Sequence, residues 1–289
     1  MAAIAATNHS ANLLAKLREA GLTIAPGFQG TGKTYQSLCA IVEYLRAHPD
    51  RKVLIYDVNN EYGPESCREH GFNLNIKMLY PDKNEIMRFT AHATERIRRI
   101  VPVHPDTGQD FNTEEMKDML KDIVLTFRKG LLIIEDLNTY LTETKHIQEV
   151  LGIITRLRHK NLDIIIHLQS LAAVDTKMWQ NCRYLRMHWQ ADDIDRYKTR
   201  IPNFKLIKIA QLLCDYNYVE KENKRFYCWV HRLTNKISGP FTKADFVVAL
   251  YRYLALDGDE LKNAILMNEN NREKGLDYCM RRGLSMYGN

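Results

Sequence analysis

Gly27-Phe28-Gln29-Gly30-Thr31-Gly32-Lys33-Thr34 is the stretch on which the reading of this chain turns, because it satisfies G-x-x-x-x-G-K-[ST] in full. A chain of phosphates needs many hydrogen-bond donors converging on it at close range. Glycines at 27, 30 and 32 let the backbone bend sharply and bring its N–H groups to the oxygens. Lys33 is placed to neutralise the β- and γ-phosphates, and Thr34 to hold Mg²⁺ through its hydroxyl. Working outward, Leu22-Thr23-Ile24-Ala25 reads as a short strand leading in. Tyr35 to Leu45 reads as a helix whose N-terminus adds partial positive charge. Gly27, Phe28, Gln29, Gly30, Thr31, Gly32, Lys33, Thr34 and Tyr35 are therefore the expected nucleotide-binding residues, with ATP and Mg²⁺ as the expected cofactors.

The rest of the composition fits a chain built around that loop. A length of 289 residues allows a full α/β core with an appendage. Apolar content of 45% and charged content of 26% are ordinary for a water-soluble fold. No apolar run approaches the ~20 residues that cross a bilayer, so no transmembrane segment is expected. Met1 to Ala6 lacks a basic n-region, so no signal peptide is expected either. Cysteines stand at 39, 67, 182, 214, 228 and 279 without a C-x-x-C pair, which argues for reduced thiols in a cytoplasmic setting and against a zinc site or disulfide framework. The net charge of +6 is modest. Between Lys177 and Lys208, eight Lys and Arg stand against three Asp. The plainer reading of that stretch is a solvated face with ion pairs such as Asp192 with Arg196; a polyanion-facing surface is the alternative.

Along the chain, Ser10 caps an expected helix from Ala11 to Ala20, ended by Gly21. Lys52 to Asp57 reads as a buried strand ending in a carboxylate. Ile76 to Tyr80 and Ile86 to Thr90 read as short strand-like pieces of an elaboration on the core. Met116, Met119, Leu120, Ile123, Val124 and Phe127 form one helical stripe, closed by Gly130. Leu131 to Asp136 is the next strand, a second amphipathic helix runs through Ile147 to Leu157, and Leu162 to Gln169 and Tyr184 to Trp189 are further strands. Strands alternating with amphipathic helices imply an α/β fold with a mainly parallel sheet. The last third is less regular, with helices over Phe204–Tyr216 and Thr242–Leu256, a strand over Arg225–His231 and a polar helical tail. The division expected is an N-terminal helical segment over 1–20, a core over 21–200 and a mixed α/β C-terminal extension over 201–289 packed on it.

A glycine loop binds phosphate; hydrolysis also needs a placed metal and an oriented water. In P-loop NTPases a carboxylate ending an apolar strand serves the metal, and a neighbouring acid orients the water. Glu135 and Asp136 supply both groups after Leu131-Leu132-Ile133-Ile134, in reverse of the common Asp-Glu order. Register gives Glu135 to the metal, with Thr34, and Asp136 to the water, with the exchanged roles left open. Gln169, ending a strand, is placed to report the γ-phosphate.

These elements resemble the FtsK–HerA superfamily of P-loop ATPases. The likeness is carried by the loop at 27–34, Asp57-Val58-Asn59-Asn60-Glu61-Tyr62, the acid-tipped strand to Asp136, and the segment from Arg156 through Arg158 to Gln169. It covers about residues 20 to 190. The resemblance implies a RecA-like core with strand order 5-1-4-3-2, a hexameric ring around DNA, and an arginine finger from the neighbouring subunit. Arg158 is the first candidate for that finger, followed by Arg156 and Arg183. Within the superfamily the compact length looks most like viral DNA-packaging ATPases, with zonular-occludens-toxin-like phage ATPases as near relatives that normally carry a membrane-spanning helix. The implied activity is an ATPase coupled to DNA translocation, in the host cytoplasm or associated with the virion, with a capsid or membrane-protein partner. Phage assembly or secretion, and a slowly hydrolysing NTP switch, are the competing readings.

Overall fold

Apolar runs bracketed by turn residues become strands throughout the computed structural model, which describes residues 21–137, 140, 152, 161–256 and 258–288. The expected helix over 11–20, and that over 147–157 apart from Gly152, lie outside the described residues. The chain forms two units. The first comprises Met1–Ala25, Lys33–Gln169 and Ala173–Cys182, and the second comprises Pro26–Gly32, Ser170–Ala172 and Arg183–Asn289.

The first unit holds β1 (Leu22–Pro26), α1 (Lys33–Ala47), β2 (Lys52–Tyr56), α2 (Pro64–Glu69), β3 (Lys77–Met78), α3 (Lys83–Ala91), β4 (Ile97–Ile100), α4 (Thr113–Thr126), β5 (Gly130–Ile134), β6 (Leu162–Leu168) and α5 (Thr176–Asn181). Its strands lie in the order β3-β4-β2-β5-β6-β1. β2 runs parallel to β4 and β5, and β5 parallel to β6. β5 and β6 are buried along their whole length; β5 is an unbroken apolar run, whereas the apolar run of β6 is interrupted by buried Asp163 and His167. Numbered as the sequence analysis counts its strands, β1-β6-β5-β2 is the expected succession 1-4-3-2.

Register sets up the chemistry. Tyr56 pairs with Ile134, and Ile134 with Ile166. The next residue on each strand is Asp57, Glu135 and His167, so three polar side chains arrive side by side at the C-terminal edge of an apolar sheet. Tight contact between β2 and β5 requires a glycine at the far edge. A Cβ on Gly130 would run into the Lys52 carbonyl oxygen and come within 2.7 Å of Phe127 Cζ. Gly130→Ala is expected to destabilise the chain by about 2–4 kcal/mol. A urea midpoint equal to that of the wild type would contradict this.

In the second unit β7 (Cys182–His188), β8 (Tyr227–His231) and β9 (Lys236–Ser238) form an antiparallel meander. The helices α6 (Phe204–Asp215), α7 (Lys243–Leu256), α8 (Gly258–Met267) and α9 (Arg272–Tyr287) accompany it. The fold is therefore α/β of the P-loop NTPase type, with a mixed sheet that is mainly parallel. All six cysteines are buried and free of disulfides. Among the described residues no helix is long and apolar enough to cross a membrane.

Three local expectations are corrected. Ile86 to Thr90 is helical, because Asp82 caps α3 by accepting from the Asn84 and Glu85 N–H groups while Ile86 and Phe89 are buried on one face. α4 ends at Thr126 and Gly130 opens β5; the helix starts on a capping box formed by Asn112 and Glu115. Arg196 pairs with Asp193 at 3.8 Å, not with Asp192, in a 3-10 turn where i and i+3 face each other.

Candidate functional site

The glycine loop belongs to the second unit. Gly30 (φ 77°) and Gly32 (φ 83°) occupy the left-handed region, as the sharp bend requires. Gly27 is glycine for lack of space: a Cβ there would lie 2.5 Å from His188 Cβ and 2.9 Å from Thr31 Oγ1. The end of β7 and the residue after it hold the loop. The Phe28 N–H donates to the Trp189 carbonyl at 2.8 Å, and His188 Nδ1 lies 3.1 Å from the Thr31 carbonyl. The Thr31 hydroxyl closes the turn on the Phe28 carbonyl at 2.7 Å. Against Gly32 sits Arg225, whose Cγ would be 3.3 Å from an added Cβ. Phe28, Gln29 and Gly30 are exposed.

In the first unit α1 begins at Lys33, the residue bonded to Gly32, so the helix N-terminus follows the loop without a spacer. Its first turns carry two polar side chains toward the strand ends. The Thr34 hydroxyl donates to the Glu61 carboxylate. Ser37 Oγ lies 2.7 Å from His167 Nε2, and His167 Nδ1 lies 3.3 Å from Glu135 Oε1. Ser37, His167 and Glu135 are all buried. The Tyr35 ring lies 5.5 Å from that of Phe72, tilted at 60° to it.

Asp57 organises the turn that delivers Glu61. It accepts from the Glu61 N–H at 2.7 Å and the Tyr62 N–H at 3.1 Å, and pairs with Arg99 at 2.7 Å. Arg99 also donates to the Asn60 side-chain carbonyl. A buried carboxylate with three donors is well compensated, which is what fixes an otherwise loose five-residue segment.

Glu135 carries the electrostatic load. Burial pushes its carboxyl well above the usual range, and the negative charges of Glu61, Asp57 and Asp136 push the same way, with Tyr62 offsetting part. Such crowding favours a cation. The Thr34 hydroxyl, Glu61 and Glu135 would offer hard oxygen donors of the kind that suits Mg²⁺. Among the described residues no group of three or more His, Cys, Asp or Glu is arranged to hold a metal by itself. A Mg²⁺ here would take the rest of its shell from phosphate and water.

Asp136 turns away from the sheet with φ 37° and accepts from Asn59 Nδ2 at 2.8 Å. Gln169 is exposed immediately after β6. Arg183 lies on β7, where its carbonyl accepts from the Arg232 N–H at 3.1 Å. Arg156 and Arg158 lie outside the described residues. Sequence reasoning missed Ser37, His167, Arg99 and Arg225, and quoted Glu61 without placing it. His167 had a signal: it is the lone ionisable side chain in Ile164-Ile165-Ile166-His167-Leu168. Nothing in the sequence marks Arg225.

The sequence profile of the family described as Zonular occludens toxin (Zot) matches residues 21–226. No curated protein sequence matches the chain. Among solved structures, the genome packaging NTPase B204 of Sulfolobus turreted icosahedral virus 2, in complex with ATP-gammaS, is similar at TM-score 0.48 and 14% identity, over 76% of this chain and 95% of that one. The N-terminal domain of zonular occludens toxin from Neisseria meningitidis is similar at TM-score 0.32 and 12% identity, over 63% and 90%. The Aeropyrum pernix ORC1 protein in complex with DNA is similar at TM-score 0.33 and 12% identity, over 91% and 66%. The family profile spans the glycine loop, the Asp57 turn, the Glu135-Asp136 strand end and β7, and by that match the chain belongs to the zonular occludens toxin family of P-loop NTPases.

Proposed function

We propose that the chain is an ATP-hydrolysing motor that moves phage DNA during particle assembly. One observation carries this reading. The helix that directly follows the glycine loop reaches two acids, through Thr34 to Glu61 in the turn after β2 and through Ser37 and His167 to Glu135 at the end of β5. That linkage ties phosphate recognition to the groups that would place metal and water.

In this reading ATP binds at Gly27 to Tyr35, with Lys33 on its outer phosphates. Thr34 and Glu135 would hold Mg²⁺, which when bound would screen the phosphate charge and polarise the phosphoryl oxygens. Asp136, steadied by Asn59, orients the attacking water, and Gln169 reads the γ-phosphate. An arginine of a neighbouring subunit, Arg158 first, completes the site in a ring that is a hexamer by resemblance; such fingers contribute ~10³–10⁵ in rate. Contacts to DNA are phosphate-directed, since a translocating motor must tolerate any sequence. Filling a preformed capsid and extruding an assembling particle through a membrane partner use the same cycle. Family membership supports the second; in this reading the work is done in the host cytoplasm at the assembly site.

The test is the ATPase rate of the purified chain with and without DNA, alongside particle mass with nucleotide. DNA-stimulated turnover by a multimer is expected. A monomer whose slow turnover ignores both single- and double-stranded DNA would replace the motor with an NTP-dependent switch.

A further inference from the structure

The glycine loop carries a side chain that phosphate binding does not explain. Backbone N–H groups do that work, so the variable positions of G-x-x-x-x-G-K-[ST] need no large apolar group. Phe28 nevertheless presents its ring at 50% exposure. It is not a loose ring. Its N–H is tied to the Trp189 carbonyl at 2.8 Å and its carbonyl to the Thr31 hydroxyl at 2.7 Å.

Behind it stands a supported aromatic stack within the same unit. The Phe28 ring meets Trp189 edge to face, with centroids 5.8 Å apart and planes at 77°. Trp189 lies flat on Tyr218, with centroids 4.2 Å apart and planes at 7°. The Lys224 ammonium sits 4.1 Å above the Tyr218 ring, so a cation attracted to the π-face backs the stack. Lys224 is followed by Arg225, whose side chain packs on Gly32 of the loop and is itself exposed. The series Lys224, Tyr218, Trp189, Phe28 thus runs from a charged end to an exposed apolar ring that is part of the loop.

We propose that the exposed face of Phe28, braced by Trp189 and Tyr218, is the platform on which the base of the bound nucleoside triphosphate stacks. The proposal rests on the reading that Gly27 to Thr34 binds the triphosphate, and adds which residues recognise the other end of the same molecule. A flat heteroaromatic base has the π-face that an aromatic platform takes, whatever its substituents. A base tethered to the phosphates through one ribose stays beside the loop that holds them, and Phe28 is in that loop. The bases of a single-stranded nucleic acid share this chemistry, but their phosphates are not tied to a terminal triphosphate cradle.

The experiment is titration calorimetry of the full chain with Mg²⁺ and either ATP or inorganic tripolyphosphate. The wild type is expected to bind ATP more tightly than tripolyphosphate. Phe28→Ala is expected to weaken ATP roughly 10- to 100-fold, leaving tripolyphosphate unchanged, while Phe28→Trp restores ATP binding. Phe28 is exposed, so the variants test recognition and not folding. Unchanged ATP affinity in Phe28→Ala would overturn the proposal, as would an equal loss for both ligands, which would make Phe28 a shaper of the loop. So would lost binding of a single-stranded oligonucleotide with ATP binding intact, which would assign the platform to nucleic acid. Failure of the phosphate-loop reading is distinct: the Lys33→Ala variant would then bind ATP as the wild type does.

Discussion

Lys33→Ala protein is expected to bind Mg²⁺-ATP about 10²- to 10³-fold more weakly than the wild type and to show no turnover above background. Lys33 is the first residue of α1 and the cation nearest in sequence to the bent glycines. Truncating one partner of a desolvated, hydrogen-bonded charge pair costs about 2–5 kcal/mol, most of it from leaving the other charge uncompensated. The variant should fold, because Lys33 is half-buried and precedes the apolar face of α1, which begins at Ser37 and Leu38. Equilibrium binding and steady-state phosphate release measure both effects. Wild-type turnover in this variant would remove the loop from the chemistry altogether.

The second large effect separates the two acids. Asp136→Asn keeps the hydrogen-bonding shape that Asn59 meets but cannot take up a proton, so nucleotide binding is expected to persist while turnover drops by about 10²–10⁴-fold. Glu135→Gln removes charge from the buried cluster beside His167. Its expected signature is a higher Mg²⁺ requirement at saturating ATP, since a carboxylate proposed to hold the metal is lost. Swapped phenotypes would exchange the roles of the two residues. Near-normal turnover in both would place the reacting centre elsewhere.

The parts of this architecture that were legible are those where one physical requirement dominates. Buried parallel strands must be predominantly apolar, so β2, β5 and β6 announce themselves in sequence. The glycine loop is legible because a bent backbone tolerates few residues. β4 was not, since Ile97-Arg98-Arg99-Ile100 puts two charges in the middle of a strand. Their compensation comes from afar: Arg99 is neutralised by Asp57, forty-two positions away in the chain. α3 was misread because five residues of mixed apolar pattern fit either period, and the deciding group is the capping Asp82 outside the window. The acids at the strand end were visible, whereas their companions depend on register. His167 meets Glu135 only because β5 and β6 pair as Ile134 with Ile166, and no local pattern encodes that alignment.

The reversed acid pair has a cause in the main chain. Asp136 holds a left-handed backbone at φ 37°, a conformation in which short polar side chains such as Asp and Asn are enriched. The order Glu-Asp is thus a fit of side-chain length to main-chain curvature: the longer acid occupies the last extended position, and the shorter one sits where the chain doubles back. The commoner Asp-Glu order would set the longer acid at this corner, so the order of the two acids decides which carboxylate ends the extended strand and which leaves it on the bend.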